Sequence, residues 1–93
     1  MLRENIYLDA IHQLANYDEH YNHNLLETLE TYLDVGGVTT VAAKLHVHRN
    51  TLSYRIERIQ QLLDLDLSDP LCRMNIHVAL KTYRLRSSNT PSG

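Results

Sequence analysis

The sequence has 93 residues, of which 43% are hydrophobic, with three glycines, two prolines and neither tryptophan nor phenylalanine. This length fits one small domain, and the composition favours a helical domain over a disordered segment or a β-sandwich. The single cysteine, Cys72, cannot form a disulfide within the chain. No apolar run is long enough to span a bilayer or serve as a signal peptide. We therefore expect an all-α domain in a reducing cytoplasm, without a membrane partner.

The net charge of -2 conceals an uneven distribution along the chain. Residues 1–34 carry a charge of -6, residues 35–63 carry +3, and residues 64–93 carry +1. A positive segment in a slightly acidic chain is the local footprint that a polyanionic partner requires.

Apolar residues at helical spacing predict a first helix over residues 2–17, and a polar connector, a hinge candidate, follows over 18–24. Asn24 stands three residues before Glu27, which predicts an N-cap and the start of a second helix. That helix is expected to end at the glycine pair 36–37.

A short third helix is predicted from about Thr39 to Leu45, with Thr39 or Thr40 as its cap. After a tight connection at 46–48, Leu52, Ile56, Ile59 and Leu63 fall on one side of a helix over about 48–63. At about 100° per residue, the opposite side and its flanks are polar. These positions are Asn50, Thr51, Ser53, Tyr54, Arg55, Glu57, Arg58 and Gln61.

The last helix is predicted to start with Asp69 as cap and Pro70 at its first position. Its buried stripe consists of Cys72, Ile76, Ala79, Leu80 and Tyr83. The expected organisation is an N-terminal helix and connector at 1–23, a helix-turn-helix domain at 24–86 and a disordered tail at 87–93.

A short helix with a small residue at its centre, a tight turn and a second helix with a polar front is the layout of a helix-turn-helix. Ala42 is the small residue, and Val47 fills the angle of the turn in front of Leu52. We therefore expect a small helical bundle that places its polar helix, about 48–63, in the major groove of DNA.

The residues at 46–51, followed by Tyr54 and Arg55, closely resemble the C-terminal DNA-binding domain of PucR/CdaR-type bacterial transcriptional regulators, and the resemblance extends to 25–34, 41–59 and 65–73. It implies the output domain of a regulator in which an effector-sensing domain precedes this one. Ser53 stands where the family often has arginine, which predicts an altered sequence preference or a weaker phosphate contact. The glycine often found before the "LDL" run is also absent, which should affect only a loop.

The predicted partner is double-stranded DNA, bound by a homodimer. The start of the polar helix is expected to read bases, while its arginines hold phosphates. The predicted DNA-contacting residues are Lys44, His48, Arg49, Asn50, Thr51, Ser53, Tyr54, Arg55 and Arg58.

Several residues have a second interpretation. The three arginines are also compatible with a solvated helix face, and His46 with His48 forms an H-x-H pair that would bind a metal only if other ligands converge on it. His48 as a helix cap and Cys72 as a small buried residue are the simpler readings.

Because the sequence carries no phosphate-binding glycine loop, paired catalytic carboxylates or nucleophile elbow, we expect neither catalysis nor a cofactor. The alternative function is a dimerisation or protein-interaction module that does not bind DNA, formed by the acidic first half and the leucine-rich helix at 25–33.

Overall fold

The computed structural model describes residues 5–21 and 23–88, which form five helices. They are α1 (Asn5–Tyr21), α2 (Leu25–Val35), α3 (Val38–Leu45), α4 (Arg49–Leu63) and α5 (Pro70–Ser88). This part of the chain contains no strand, and the predicted all-α class is confirmed. The predicted first residues of α1 and residues 89–93 of the predicted tail lie outside the described residues. Residues 87 and 88 of that tail continue α5, so the predicted start of the tail was wrong.

Two buried clusters hold the helices together. The larger one joins α1, α2, α4 and α5 through fully buried side chains that include Leu14, Leu29, Ile59 and Leu80. The smaller one, Val41, Ala42 and Leu52, joins α3 to α4. Because α4 contributes to both clusters, its rotation about its own axis is fixed near both of its ends.

The connection between α1 and α2 differs from the prediction. The expected connector is helical as far as Tyr21. Asn24 adopts a left-handed conformation with a φ of 58° and makes no capping bond with its side chain. Instead, the Asp18 carboxylate accepts bonds of 2.8 Å from the backbone N–H groups of Leu25 and Leu26. The predicted helix start is confirmed, with Asn24 at the N-cap position, but the capping bonds come from Asp18 of the preceding helix, six residues upstream, and not from the Asn24 side chain.

The end of α2 agrees with the prediction. Gly36 and Gly37 have φ values of 77° and 81°, a region that glycine adopts without the steric cost other residues incur. The start of α3 does not agree: Gly37 takes the N-cap position, with no side-chain bond, so the prediction of Thr39 or Thr40 as cap was wrong. The sharp turn leaves neither threonine in front of the first helical residue.

The loop between α4 and α5 begins with a residue in the left-handed conformation. Asp64, directly before the "LDL" run, has a φ of 54°, a conformation that aspartate tolerates better than most residues do. Asp64 thus ends α4 in a left-handed conformation that glycine would adopt without steric cost. As predicted, α5 begins at Pro70, and the Asp69 carboxylate accepts a bond from the Leu71 N–H at 3.2 Å. The predicted buried stripe is confirmed, with Tyr83 only partly buried.

Candidate nucleic-acid interface

The turn between α3 and α4 has the predicted helix-turn-helix geometry. The backbone N–H of Val47 donates to the Ala42 carbonyl at 3.0 Å, and His46 closes α3 with a φ of 59°. Val47 packs against the cluster of Val41, Ala42 and Leu52, as the sequence indicated. The small side chain of Ala42, which is 4% exposed, lets α3 and α4 approach closely at this point.

The first residue in front of α4 is a histidine cap. The Nδ1 atom of His48 accepts the Asn50 backbone N–H at 3.0 Å, and the Leu52 N–H donates to the His48 carbonyl at 3.0 Å. The interpretation of His48 as a helix cap is therefore confirmed. Since Nδ1 is the acceptor, the neutral imidazole carries its proton on Nε2, the atom that is left for an external partner.

The polar face of α4 lies where its helical spacing predicted. Asn50, Thr51, Ser53 and Tyr54 are all exposed, and Tyr54 keeps 66% of its surface accessible although it is aromatic. On the opposite side, Leu52 and Ile59 are completely buried. An exposed tyrosine among exposed amide and hydroxyl groups is a surface suited to hydrogen bonding with a polar partner.

The cations of this region fall into two groups. Lys44 and Arg49 are exposed. Arg55 and Arg58 are partly buried, and each is held by a hydroxyl of another helix: Arg55 Nη1 lies 3.4 Å from Thr28 Oγ1, and Arg58 Nη2 lies 3.3 Å from Tyr17 Oη. A solvated helix face therefore does not describe these two arginines. No local pattern in the sequence indicates these partners, because they are 27 and 41 residues away along the chain.

The guanidinium of Arg58 also lies over the Tyr17 ring, 5.8 Å from its centroid. The hydrogen bond to Tyr17 raises the pKa of Arg58 above its already high usual value. Arg58 is thus a permanent cation whose side chain is oriented by its contacts with Tyr17 of α1.

Two of the three acidic residues of α2, Glu30 and Asp34, are paired with residues of α5, away from α4. Glu30 binds Lys81 and Arg84 at 3.0 and 2.9 Å, and Asp34 binds Lys81 and His77 at 2.9 and 2.7 Å. Among residues 5–21 and 23–88, no side chain of α4 takes part in an ion pair. The positive charge of the middle segment therefore remains available on the α4 side.

The other candidate sites from the sequence do not gain support. Within the described ranges, His46 and His48 belong to no group of three potential metal ligands. Cys72 is buried, and burial raises the pKa of its thiol, so it matches the small apolar residue expected at this position. No helix in the described part of the chain is long and apolar enough to cross a bilayer.

Comparison with known proteins agrees with this geometry. A family model described as the PucR C-terminal helix-turn-helix domain matches residues 25–82. The DNA-binding transcriptional activator AdeR of Bacillus subtilis is 33% identical over 73 residues, which cover 77% of this chain and 17% of AdeR. The purine catabolism regulatory protein of the same organism is 37% identical over 82 residues, covering 87% of this chain and 15% of that protein.

A further relative, the proline-responsive transcriptional activator PutR of Bacillus subtilis, is 42% identical over 64 residues, or 68% of this chain and 16% of PutR. The matched segments thus span only 15 to 17% of the length of these three relatives. No solved structure gives a significant match. The family match over residues 25–82, together with the turn and helix geometry described above, shows that the chain belongs to the PucR C-terminal helix-turn-helix family.

Proposed function

We propose that this chain binds duplex DNA as the output domain of a transcriptional regulator, with α4 in the major groove. The observation that carries the proposal is the two-sided character of α4: Leu52 and Ile59 fix its back in two buried clusters, while its exposed front carries hydrogen-bonding groups and no ion pair among the described residues. A helix with its side chains is about 10–12 Å across. The major groove is about 12 Å wide, so it admits one helix.

We assign base recognition to the start of α4. Because the His48 imidazole already satisfies the Asn50 N–H, the Asn50 carboxamide is not needed as a cap and is free to bond bidentately to an adenine. Thr51 offers a hydroxyl and a methyl group to neighbouring base edges. Tyr54, one turn further along, is assigned to a base or a phosphate, and Ser53 to the margin of the groove.

We assign phosphate binding to the cations around this start. Lys44 near the end of α3 and Arg49 at the first position of α4 are exposed next to the turn. Arg55 and Arg58 each use one N–H on a neighbouring helix, which leaves the other guanidinium donors for phosphate oxygens.

The experiment that tests the proposal is a pair of titrations with Asn50→Ala, one on a duplex selected by the chain from a random pool and one on unselected duplex. We expect a loss of about 1 to 3 kcal/mol on the selected site and much less on unselected DNA. Gln61→Ala, which removes the same carboxamide at the far end of α4, is the matched control. An equal loss on both duplexes would reassign Asn50 to backbone positioning, and a reduced circular dichroism signal would show a structural role.

The salt dependence of the affinity for DNA distinguishes the proposed function from the alternative, an interaction module that does not bind DNA. A protein that neutralises phosphates loses affinity linearly on a log-log plot against salt concentration, because bound counterions are released. A chain without such a dependence on duplex DNA would support the alternative, and the assignment to DNA would fail.

Because the chain matches only about 15 to 17% of its relatives' length, we place an effector-sensing region elsewhere in the full protein, and we propose that two chains bind two half-sites. One helix reads only a few base pairs, so two half-sites about 34 Å apart multiply the discrimination. Sedimentation analysis together with footprinting tests this: a monomer that protects a single half-site with full specificity would contradict it.

A further inference from the structure

A second surface adjoins the front of α4. The junction between α1 and α2 and the exposed side of α4 line one shallow groove, with His23 and Asn24 on one wall and Thr51, Tyr54 and Arg55 on the other. The junction thus lies beside the residues that we assign to DNA. The family model begins at residue 25, so α1 and His23 lie outside the segment that this model matches, although the longer match to the purine catabolism regulatory protein covers 87% of the chain.

Three aromatic rings gather at this junction: Tyr17, Tyr21 and His23, which we name the α1 flank. The Tyr17 ring centroid lies 4.7 Å from that of Tyr21 and 5.7 Å from that of His23. Tyr21 is 61% exposed and His23 is also exposed, although apolar ring surface is favourable to bury. The cluster therefore presents a hydroxyl and an imidazole to an outside partner.

Arg58 connects the α1 flank to α4. Its Nη2 donates to Tyr17 Oη at 3.3 Å, so the Tyr17 hydroxyl accepts from the guanidinium and keeps its own hydrogen for another acceptor. An anionic oxygen next to this pair would receive one bond from arginine and one from tyrosine. Hydroxyl groups and arginine are both common donors to DNA phosphates.

The two carboxylates at this end of α1, Asp18 and Glu19, are engaged elsewhere or line another groove. Asp18 is engaged by the N–H groups of Leu25 and Leu26. Glu19 is rotated by about 200° from Tyr17 around the helix, and it lines a different groove together with Tyr83 of α5. The α1 flank is therefore a cluster of donors beside a permanent cation.

We infer that the α1 flank is a second DNA-contacting element, whose Tyr17, Tyr21 and His23 bind the phosphate backbone beside the groove that α4 enters. This inference rests on the proposed function. Its geometric basis is that a helix about 10–12 Å across fills a groove about 12 Å wide. An element packed beside that helix then faces the phosphates that border the groove. In the α1 flank, His23 lines the groove with Thr51 and Tyr54, Tyr17 contacts Arg58, and Tyr21 packs on Tyr17 toward Leu62 and Leu63.

The test is the variant Tyr17→Phe, Tyr21→Phe, His23→Ala, which removes donors but keeps the two neighbouring tyrosine rings and the ring under the Arg58 guanidinium. The hydrogen bond from Arg58 to Tyr17 Oη is lost together with the donors. On the selected duplex we expect about threefold to tenfold weaker binding with an unchanged salt slope, because neutral donors release no counterions. Hydroxyl-radical footprinting should lose one patch of backbone protection beside the groove and keep the rest. Arg58→Gln should lower the slope by about one phosphate contact.

His12→Ala is the matched control, since His12 lies on the same helix but packs its ring on Tyr83 of α5, 5.1 Å away. Tyr21→Phe alone serves if the triple variant loses helical signal. Unchanged affinity and footprint in the flank variant, with Asn50→Ala still weakening the selected site, would overturn this inference and leave the proposed function standing. A wild-type chain with no salt-dependent affinity for DNA would overturn both.

Discussion

The surface where α2 meets α5 and the exposed side of α4 both carry charged groups. They differ in that the charges of the first surface form ion pairs and the cations of the second do not, among residues 5–21 and 23–88. On the first surface, Glu30 and Asp34 bind Lys81, Arg84 and His77 at 2.7 to 3.0 Å. On the second, cations stand without a carboxylate partner among residues 5–21 and 23–88. The strongly acidic first third of the sequence is thus balanced partly by the last helix, and a chain of net charge -2 still presents a cationic face.

The largest difference between the two surfaces should appear in DNA affinity. Arg49→Gln and Lys81→Gln remove one positive charge each, the first next to the turn before α4 and the second on the α2–α5 surface. We expect Arg49→Gln to lower the salt slope by about one phosphate contact and to weaken binding about tenfold at 0.1 M salt. Lys81→Gln should leave both quantities unchanged, because its partners are Glu30 and Asp34.

Fluorescence-anisotropy titrations at several salt concentrations measure both quantities. Equal losses for the two variants would show that overall charge, not its position, governs binding. That outcome would remove the distinction between the surfaces.

A smaller effect, on the free energy of unfolding, is expected for the Asp18 carboxylate, which caps α2. Asp18→Ala removes the cap of α2 and should lower the free energy of unfolding by about 1 kcal/mol. Glu19→Ala removes the same charge from the next residue, which is exposed, and should change stability by no more than about 0.5 kcal/mol. Urea denaturation followed by circular dichroism compares the two, and equal effects would show that the bonds to Leu25 and Leu26 contribute little.

The case of Asp18 marks the limit of what the sequence could predict. Helical spacing placed the buried stripe of α4 and its polar front correctly, and the pattern of Asp69 with Pro70 placed the start of α5, because these signals are local. The cap from Asp18, the hydroxyls that hold Arg55 and Arg58, and the pairing of α2 with α5 join residues distant in sequence. They depend on how the helices pack, which local patterns do not contain.

The α1 flank illustrates the same limit at the candidate site. In the sequence, Tyr17, Tyr21 and His23 stand in an acidic segment, and no motif connects them to Arg58. A signal was present only in the local charge pattern: Asp18 and Glu19 follow Tyr17 by about 100° and 200° around the helix, and both line a groove on the α5 side. This pattern becomes informative once the position of α1 beside α4 is known.

The smallest expected effect is on the pH dependence of the α2–α5 surface. Hydrogen bonds from His77 and Lys81 hold the pKa of the Asp34 carboxyl below its usual range. In the unfolded chain Asp34 regains its ordinary pKa, about 3.9, so in acid the unfolded state binds more protons than the folded state does. The stabilisation is therefore complete above about pH 5 and is lost as the pH falls through the lowered pKa.

The amplitude is small because the Asp34 side chain is 38% exposed and water screens the interaction, so we expect about 0.5 kcal/mol. Urea denaturation of the wild type and of Asp34→Asn between pH 3 and pH 6 measures it. The stability difference between the two should be present at pH 6 and shrink toward pH 3. Asp9→Asn, a change at an exposed carboxylate of α1, should produce no such convergence. A stability difference for Asp34→Asn that is constant over this range would show that His77 and Lys81 do not stabilise the ionised carboxylate. The contrast between a surface of paired charges and the surface of α4 would then not hold for Asp34.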